Sequence, residues 1–415
     1  MRILILHRVT DKMIRHADGI DHAAHDVTYV GPADRLATLP ADLRCTRIER
    51  PDTGDLTEEV LAAVEGLPAF DMVLALSEFD LIAGARVRAA LGVPGDREED
   101  IAPWRDKVIM KSMVAAAGLR VPRFLSLTEA LAAGPGEIPW TGGTVLKPLD
   151  GAASLDVHVY PTPDEALAAV REGGAAPDGA PWDGFEVEEF VTGPIVHVDG
   201  MLIDGKPMAI QASRYVGTCL GFAEGTPLGS VQIEMTPELS RWTADCLAAV
   251  SITTSLFHLE GIETPDGLVF LEVGARFGGA DVVDTFELAT GVHMPSRYLQ
   301  MVTGGVAAED LTWPESDGSR YGWFCWPSHT LGAERCRIEG ADAFRGSPLV
   351  YRWSQRTEDE PIKTVLSYAD TDIPLAGVVG PGDSAELTRF LSDAFAAIRV
   401  TPLTPTEPAT TETAG

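Results

Sequence analysis

The stretch from Ser255 to Arg276 reads SLFHLEGIETPDGLVFLEVGAR and predicts a β-hairpin. Two strand-like runs flank a Pro-Asp-Gly sequence, which is typical of a three-residue loop with Gly267 in the left-handed conformation. A two-residue loop would instead set Glu260 against Leu271 and mix the two faces, so we expect the longer loop. The predicted register pairs Thr264 with Leu268, Ile262 with Phe270, Gly261 with Leu271, Glu260 with Glu272, Leu259 with Val273 and His258 with Gly274.

This register places two glutamates on one face of the hairpin. Side chains that are directly opposed lie about 5 Å apart at Cβ, and like charges there destabilise a sheet. A positive group between Glu260 and Glu272 would remove that cost, and two hard oxygen ligands suggest Mg²⁺ carrying a nucleotide phosphate. A solvated acidic face that only keeps the protein soluble is the alternative. Arg276, on the same face and followed by Phe277-Gly278-Gly279, favours the site.

Composition excludes several classes of function. A chain of 415 residues predicts two or three domains, and its net charge of −30 argues against nucleic acid or an anionic membrane as the main partner. Any anionic ligand must therefore meet a local group of Lys and Arg. Five scattered cysteines without C-x-x-C spacing support neither a zinc ribbon nor a disulfide framework. No signal peptide or membrane span is evident, so we expect a cytoplasmic protein.

The chain divides into an N-terminal α/β domain and two further modules. Residues 1–103 alternate strands with helical patterns, which indicates a parallel sheet. No G-x-G-x-x-G follows the first strand, and we interpret Glu78 as an acid that favours a helix start. We expect a second domain over residues 104–300 with a lid at about 112–190, a C-terminal α+β module over 301–400, and a disordered tail over 401–415. The Gly-rich segment 217–229 reads as a mobile loop.

Three elements could meet an anion. Lys107 begins a predicted helix after Asp106, although such a lysine is often a surface residue. Lys147 lies in an apolar strand, where a lysine without a partner is unusual. The loop Asp150–Ser154 consists largely of small residues, which let backbone N–H groups approach a phosphate, although a tight turn explains it equally.

The sequence resembles the ATP-grasp ligases over roughly residues 1–300. Five stretches match in order and spacing: Asp106-Lys107 with Gly118–Pro122, Val145–Pro148 with the 150–154 loop, Phe185–Gly193, His258–Glu260, and Leu271–Arg276. The resemblance implies an α/β fold of the ATP-grasp type with a Rossmann-like N-terminal domain and a nucleotide held between two α+β subdomains.

The resemblance also implies a role for each matched residue. Lys107 and Lys147 would contact phosphates, and the loop ending at Ser154 would close over them. Glu260 and Glu272 would hold Mg²⁺, with Mn²⁺ as a substitute, and Arg276 would stabilise the transferring phosphoryl group. The segment that would line the adenine and ribose pocket comprises Glu188, Glu189, Phe190 and Val191, through backbone groups of Glu189 and Val191.

One position departs from the wider pattern. Many ATP-grasp enzymes carry Asn two residues after the second metal-binding Glu, and this chain has Gly274, which leaves the number of Mg²⁺ ions open. The run Glu-x-x-Ala-Arg-Phe-x-Gly resembles the branch of L-amino acid (dipeptide) ligases. The resemblance therefore implies an ATP-dependent carboxylate–amine ligase that forms an acyl phosphate from small carboxylate and amine substrates, and relatives are commonly homodimers.

Further residues have two interpretations each. Arg214 could bind a substrate carboxylate or form a surface ion pair. His258 could orient a glutamate or the substrate, or be a packed structural histidine. His197 and Asp199 could meet the substrate, but we expect exposed polar positions. Two other functions stay open, namely a carboxylase-type subunit activating bicarbonate, which the lack of a biotin-carrying domain disfavours, and a nucleotide-binding protein without turnover.

Overall fold

The computed structural model describes residues 1–134, 136–173, 182–307 and 318–403. These residues form two compact units. The first contains residues 1–214, 233–278 and 282–307, and the second contains residues 215–232, 279–281 and 318–403. In the part of the chain so described, no helix combines the length and apolar character that crossing a membrane requires.

The first unit begins with a parallel four-stranded sheet in the order β3-β2-β1-β4, as predicted. Helix α5 packs on β4, and Leu4, Val30, Val73 and Val87 form part of the buried core. The elements are β1 Arg2–Leu6, α1 Asp11–Ile14, α2 His16–Gly19, β2 Asp26–Gly31, α3 Ala33–Leu36, β3 Thr46–Glu49, α4 Leu56–Ala63, β4 Met72–Ala75, α5 Leu81–Leu91 and α6 Glu98–Ile101.

An antiparallel sheet follows, in the order β5-β8-β6-β7 and with its own core around Leu146, Leu167 and Val187. It occupies most of the predicted lid, of which residues 135 and 174–181 lie outside the described part. The elements are α7 Lys107–Ala116, β5 Phe124–Ser126, α8 Leu127–Ala133, β6 Thr144–Pro148, β7 His158–Tyr160, α9 Pro163–Arg171 and β8 Phe185–Glu189.

The remaining part of the first unit is an antiparallel sheet in the order β13-β12-β9-β10. Helix α11 packs against β13, and Phe257, Leu259 and Phe270 are fully buried. The elements, including α10 and β11, which fall largely in the second unit, are β9 Ile195–Ile203, β10 Lys206–Val216, α10 Cys219–Ala223, β11 Leu228–Ile233, α11 Pro237–Ala249, β12 Ser255–Thr264, β13 Gly267–Gly274, α12 Val282–Thr290 and α13 Met294–Val302.

The second unit contains an antiparallel sheet in the order β11-β14-β17-β16 and a separate β15–β18 pair. The segment 217–229 is not the irregular loop that its glycines suggested, because α10 buries Phe222 in a stack on Tyr368. The predicted tail begins within β18, and residues 404–415 lie outside the described part. The elements are β14 Arg320–Cys325, β15 Cys336–Glu339, α14 Asp342–Arg345, β16 Val350–Gln355, β17 Leu375–Gly382, α15 Ser384–Ala397 and β18 Arg399–Pro402.

Candidate functional site

The β12–β13 hairpin places Glu260 directly opposite Glu272, as its sequence predicted. Opposed residues of an antiparallel pair point to the same face, so both carboxylates lie on one side. The turn is different from the prediction, since Thr264 pairs with Gly267 and the loop has two residues. A β-bulge between Glu260 and Gly261 restores the alignment of the two glutamates.

The bulge corrects the predicted pairing near the tip of the hairpin. Leu271 is the extra residue on β13, so Gly261 faces Phe270, and Ile262 pairs one residue earlier than predicted. A Cβ atom on Gly261 would lie 2.5 Å from Cη2 of Trp242, which leaves no room for a side chain. The indole on α11 therefore requires glycine at the bulge, a constraint that the hairpin sequence alone did not show.

Lys107 lies at the start of α7 beside this face. The Asp106 carboxylate caps the helix by accepting two N–H bonds of its first turn. Nζ of Lys107 lies 3.3 Å from Oε2 of Glu272 and donates to the carbonyl oxygen of Gly151 at 2.7 Å. The side chain is buried, so it is not the surface helix residue of the alternative interpretation. A helix N-terminus with a lysine is a suitable place for a phosphate.

The loop after β6 lies against the same helix start. Its carbonyl groups accept hydrogen bonds from Lys107, at Gly151, and from Arg105, at Asp150. Ala153 and Ser154 both have left-handed backbones, with φ of 60° and 55°. Non-glycine residues adopt that conformation at a cost of about 1 kcal/mol or more, so the loop is held in a specific shape. The phosphate contact of Ser154 stays a prediction.

Lys147 has two buried carboxylate partners on the neighbouring strand β8. Its Nζ lies 2.6 Å from Oε1 of Glu188 and 3.7 Å from Oε1 of Glu186. Lys111 contacts the same two carboxylates, with Nζ 2.8 Å from Oε1 of Glu186 and a second contact to Oε2 of Glu188. Burial alone would lower the pKa of Lys147, but Glu188 and Glu186 raise it. Burial would raise the pKa of Glu188, and Lys111 and Lys147 outweigh it and lower that pKa.

The segment after Glu188 carries the predicted adenine contacts. The N–H of Glu189 donates to the carbonyl oxygen of Arg123 at 2.8 Å, and the Glu189 carboxylate accepts hydrogen bonds from the guanidinium of Arg123. The N–H of Phe190 donates to the carbonyl oxygen of Gly143 at 2.8 Å, and the ring is 44% exposed. Those two N–H groups are thus engaged within the chain, and the contact of Glu189 and Val191 backbone groups with a base stays a prediction.

Arg276 is held by an acid that the sequence did not assign to the site. Oε2 of Glu78 accepts a hydrogen bond from Nε of Arg276 at 3.0 Å, and the same carboxylate pairs with Arg105. Burial would raise the pKa of Glu78, and the two arginines lower it. Glu78 is therefore more than an acid at a helix start, because it positions Arg276. Its signal was its place directly beyond the carboxyl end of a parallel strand, where ligands commonly bind.

Gly274, the position that departs from the wider pattern, lies beside Arg276 and Glu78. A Cβ atom there would lie 3.4 Å from Cγ and Nε of Arg276 and 3.7 Å from Oε1 of Glu78. These are ordinary van der Waals distances, so Arg276 and Glu78 border the space at Gly274. Glu260 and Glu272, the two predicted metal ligands, are brought together on this face of the hairpin. Two carboxylates on one face, near Lys107, fit Mg²⁺, which prefers hard oxygen ligands.

His258 lies between two carboxylates rather than against apolar side chains. Its Nδ1 is 2.8 Å from Oδ1 of Asp199 and its Nε2 is 3.2 Å from Oε1 of Glu260. Burial would lower the pKa of His258, but Asp199 raises it to about 9, so the ring is an imidazolium at neutral pH. Nδ1 of His197 also lies 2.6 Å from Asp199. The expectation that His197 and Asp199 are exposed is wrong, since both are buried.

The guanidinium of Arg214 is paired with Glu263. Its Nε and Nη2 atoms each donate to Glu263 at 2.8 Å, in a bidentate pair that is partly exposed. The ion pair of the second interpretation is therefore present, and a contact of Arg214 with a substrate carboxylate stays a prediction. The pair borders a cavity of about 370 Å³ near the start of α11.

Sequence reasoning missed the buried charges behind the site. Lys111 stands one helical turn after Lys107 and therefore on the same face of α7. Glu186 and Glu188 alternate with apolar residues, so both point to one side of β8. Those spacings were readable, but only the pairing of β6 with β8, which sets Lys147 opposite Glu186, shows that the charges meet.

No family model matches the chain. A curated protein, the L-arginine-specific L-amino acid ligase of Bacillus subtilis, is 24% identical over 246 residues. That match covers 56% of this chain and 58% of the length of the Bacillus subtilis protein.

Solved structures match over almost the whole chain. The L-amino acid ligase from Bacillus licheniformis superimposes with a TM-score of 0.68 at 18% identity, covering 97% of this chain and 98% of that one. The biotin carboxylase domain of the Hydrogenobacter thermophilus 2-oxoglutarate carboxylase, in complex with MgADP, ADP and bicarbonate, gives a TM-score of 0.59 at 14% identity, covering 96% and 90%. The chain therefore has the fold of the ATP-grasp superfamily, as its five ordered sequence stretches predicted.

Proposed function

We propose that the chain is an ATP-dependent carboxylate–amine ligase that acts on amino-acid-like substrates. The observation that carries the proposal is the meeting of Lys107 with Glu272, at 3.3 Å, on the face where Glu260 opposes Glu272. A cation for phosphate and two oxygen ligands for a divalent ion thus stand side by side. Arg276, fixed by Glu78, completes the set.

Two lysines would bind the phosphates of ATP. Lys107 reaches them together with the N-terminus of α7, where N–H groups and the helix dipole favour an anion. Lys147 approaches from β6, and the loop ending at Ser154 closes from the other side. The carbonyl oxygen of Glu189 and the N–H of Val191 would bind the adenine edge, with the Phe190 ring beside them.

The carboxylates of Glu260 and Glu272 would hold the Mg²⁺ ion that accompanies the nucleotide. When bound, the ion neutralises charge on the phosphate oxygens. His258 would keep the Glu260 carboxylate in place, since its Nε2 lies 3.2 Å from Oε1. Mn²⁺ has the same preference for oxygen ligands and would substitute.

The reaction would proceed in two transfers. An oxygen of the substrate carboxylate attacks the γ-phosphorus of ATP, the bond to the β-phosphate oxygen breaks, and ADP leaves with an acyl phosphate formed. Arg276 stabilises charge on the transferring group, which is mainly positioning and electrostatics. The amine then attacks the acyl carbon, loses a proton, and inorganic phosphate leaves as the amide forms. The lid over residues 112–190 would exclude water from the acyl phosphate.

The relatives support amino acids as substrates. The names of the Bacillus subtilis and Bacillus licheniformis proteins describe ligases of L-amino acids. We extend only that class to this chain, because the curated match spans little more than half of each protein. A homodimer and the domain borders at residues 103 and 300 belong to the same proposal.

Measuring ADP and phosphate release against a panel of amino acids, singly and in pairs, tests the function. We expect release that depends on an amine, with a product one water lighter than the two amino acids together by mass spectrometry. Glu272→Gln should abolish release, while Glu98→Gln, which loses only an exposed pair with Arg86, should not change it. Bicarbonate-dependent release without an amine would instead support the carboxylase, and ADP binding without turnover the non-catalytic protein.

A further inference from the structure

Lys111 is a buried cation for which the proposed reaction has no use. The side chain is 0% exposed and lies in the middle of α7, with Nζ over the ring of Phe124 at 4.8 Å from its centroid. Its two carboxylate partners, Glu186 and Glu188, are buried as well. Lys111 therefore cannot touch a ligand in solution, and its effects must pass through these partners.

Glu188 is the link between Lys111 and the proposed phosphate lysine. Its Oε2 contacts Lys111 and its Oε1 lies 2.6 Å from Nζ of Lys147, so one carboxylate joins both ammonium groups. Glu186 shares Lys111 at 2.8 Å and is only 3.7 Å from Lys147. Its Oε2 has no hydrogen-bond partner among the described residues. The four groups form a closed network, named here the lysine–glutamate quartet.

With both carboxylates ionised, the quartet has two positive and two negative charges. Burial raises the pKa of Glu186, and the charges of Lys111 and Lys147 oppose that shift. Without Lys111, Lys147 would face two buried carboxylates, and the net charge behind the phosphate site would be −1. That charge would hold the Lys147 ammonium away from a phosphate and would itself repel the anion. Buried ion pairs seldom stabilise a fold better than apolar residues of similar volume do. The quartet is therefore better explained by what it does for Lys147 than by stability.

We propose that Lys111 is a positioning residue for nucleotide binding, which balances Glu186 and Glu188 so that Lys147 can present its ammonium group to a phosphate. The proposal rests on the proposed function in that Lys147 contacts the nucleotide. It does not depend on which substrates are joined, nor on whether ligation occurs.

ADP binding to the full chain, measured by calorimetry in the presence of Mg²⁺, tests the proposal. Lys111→Met should weaken ADP binding at least tenfold, because the quartet then has an excess negative charge. Lys111→Arg keeps the charge and should bind ADP within about threefold of the wild type. The double variant Lys111→Met with Glu186→Met leaves one lysine and one glutamate, and it should recover binding to within about threefold.

The double variant separates electrostatics from folding. A role in packing alone predicts that it binds ADP no better than Lys111→Met, and that result in a folded protein would overturn the proposal. Wild-type binding by Lys111→Met would overturn it too. If Lys111→Met does not fold, the double variant is compared with the wild type, and ADP binding more than tenfold weaker in a folded double variant overturns the proposal. A wild type that binds ADP without ligating would refute the ligase but not the role of Lys111, whereas a wild type without ADP binding refutes both.

Discussion

Glu78→Gln should loosen the arginine that we place at the transferring phosphoryl group. The carboxylate is 13% exposed, accepts from Nε of Arg276 at 3.0 Å and pairs with Arg105. A hydrogen bond to a charged group contributes about 1.5–3 kcal/mol and a neutral one about 1 kcal/mol. Losing the charge in two such contacts should therefore lower the free energy of unfolding by about 1–4 kcal/mol.

The same change should slow ADP formation more than it weakens ADP binding. Misplacing a catalytic group by about 1 Å costs up to about a hundredfold in rate, so we expect kcat to fall about 10- to 100-fold. Urea unfolding followed by tryptophan fluorescence and coupled ADP release measure the two effects, with Glu98→Gln as the control. In an Arg276→Gln background, Glu78→Gln should add little to the loss of rate. Additive losses, or a wild-type kcat in Glu78→Gln, would refute a positioning role.

Three further changes follow from contacts described above. Gly278→Ala should abolish ADP formation in a folded chain, because the new Cβ would lie 2.5 Å from Oδ1 of Asp199, and a normal rate would contradict this. Burial lowers the pKa of His7 from 6.5 to about 4, so its contribution to stability is complete above pH 6.5 and is lost as the pH falls toward 4, by about 3 kcal/mol. Unfolding of His7→Asn across that pH range should show a shallower slope, and an equal slope would exclude His7 as its source. Arg214→Gln should leave kcat unchanged and cost at most about 1 kcal/mol of stability, because its pair with Glu263 is partly exposed, and a large loss of kcat would restore its catalytic interpretation.

The sequence was most informative where one local signal determined the structure. Alternation of strands and helices predicted the parallel N-terminal sheet, and the spacing from Glu260 to Glu272 predicted that the two acids oppose each other. The turn was wrong because Pro-Asp-Gly suits loops of either length. A two-residue loop combined with the bulge at Leu271, rather than a longer loop, brings the two acids opposite each other.

Charge partners were the weakest part of the prediction. The side chains of Arg214 and His197 each had a structural and a functional interpretation, and Glu78 had only a structural one. The outcome depended on which strands and helices pack together. Arg214 meets Glu263 because β9 lies between β10 and β12, whereas Glu78 meets Arg276 across 198 residues of sequence. A single sequence contains no local signal for contacts at that separation.

The bulge in the β12–β13 hairpin shifts the strand register by one residue between the tip and the end that carries the two acids. A regular ribbon with a two-residue loop would present Leu271 to Glu260, and the extra residue shifts the site end by one step so that the acids coincide. The exposed tip at Pro265 and Asp266 therefore lies on the other side of the bulge from the two acids. We therefore expect that a peptide tag or reporter label inserted at this tip leaves Glu260 opposite Glu272, because the bulge and the Gly261–Trp242 contact lie between the tip and the acids.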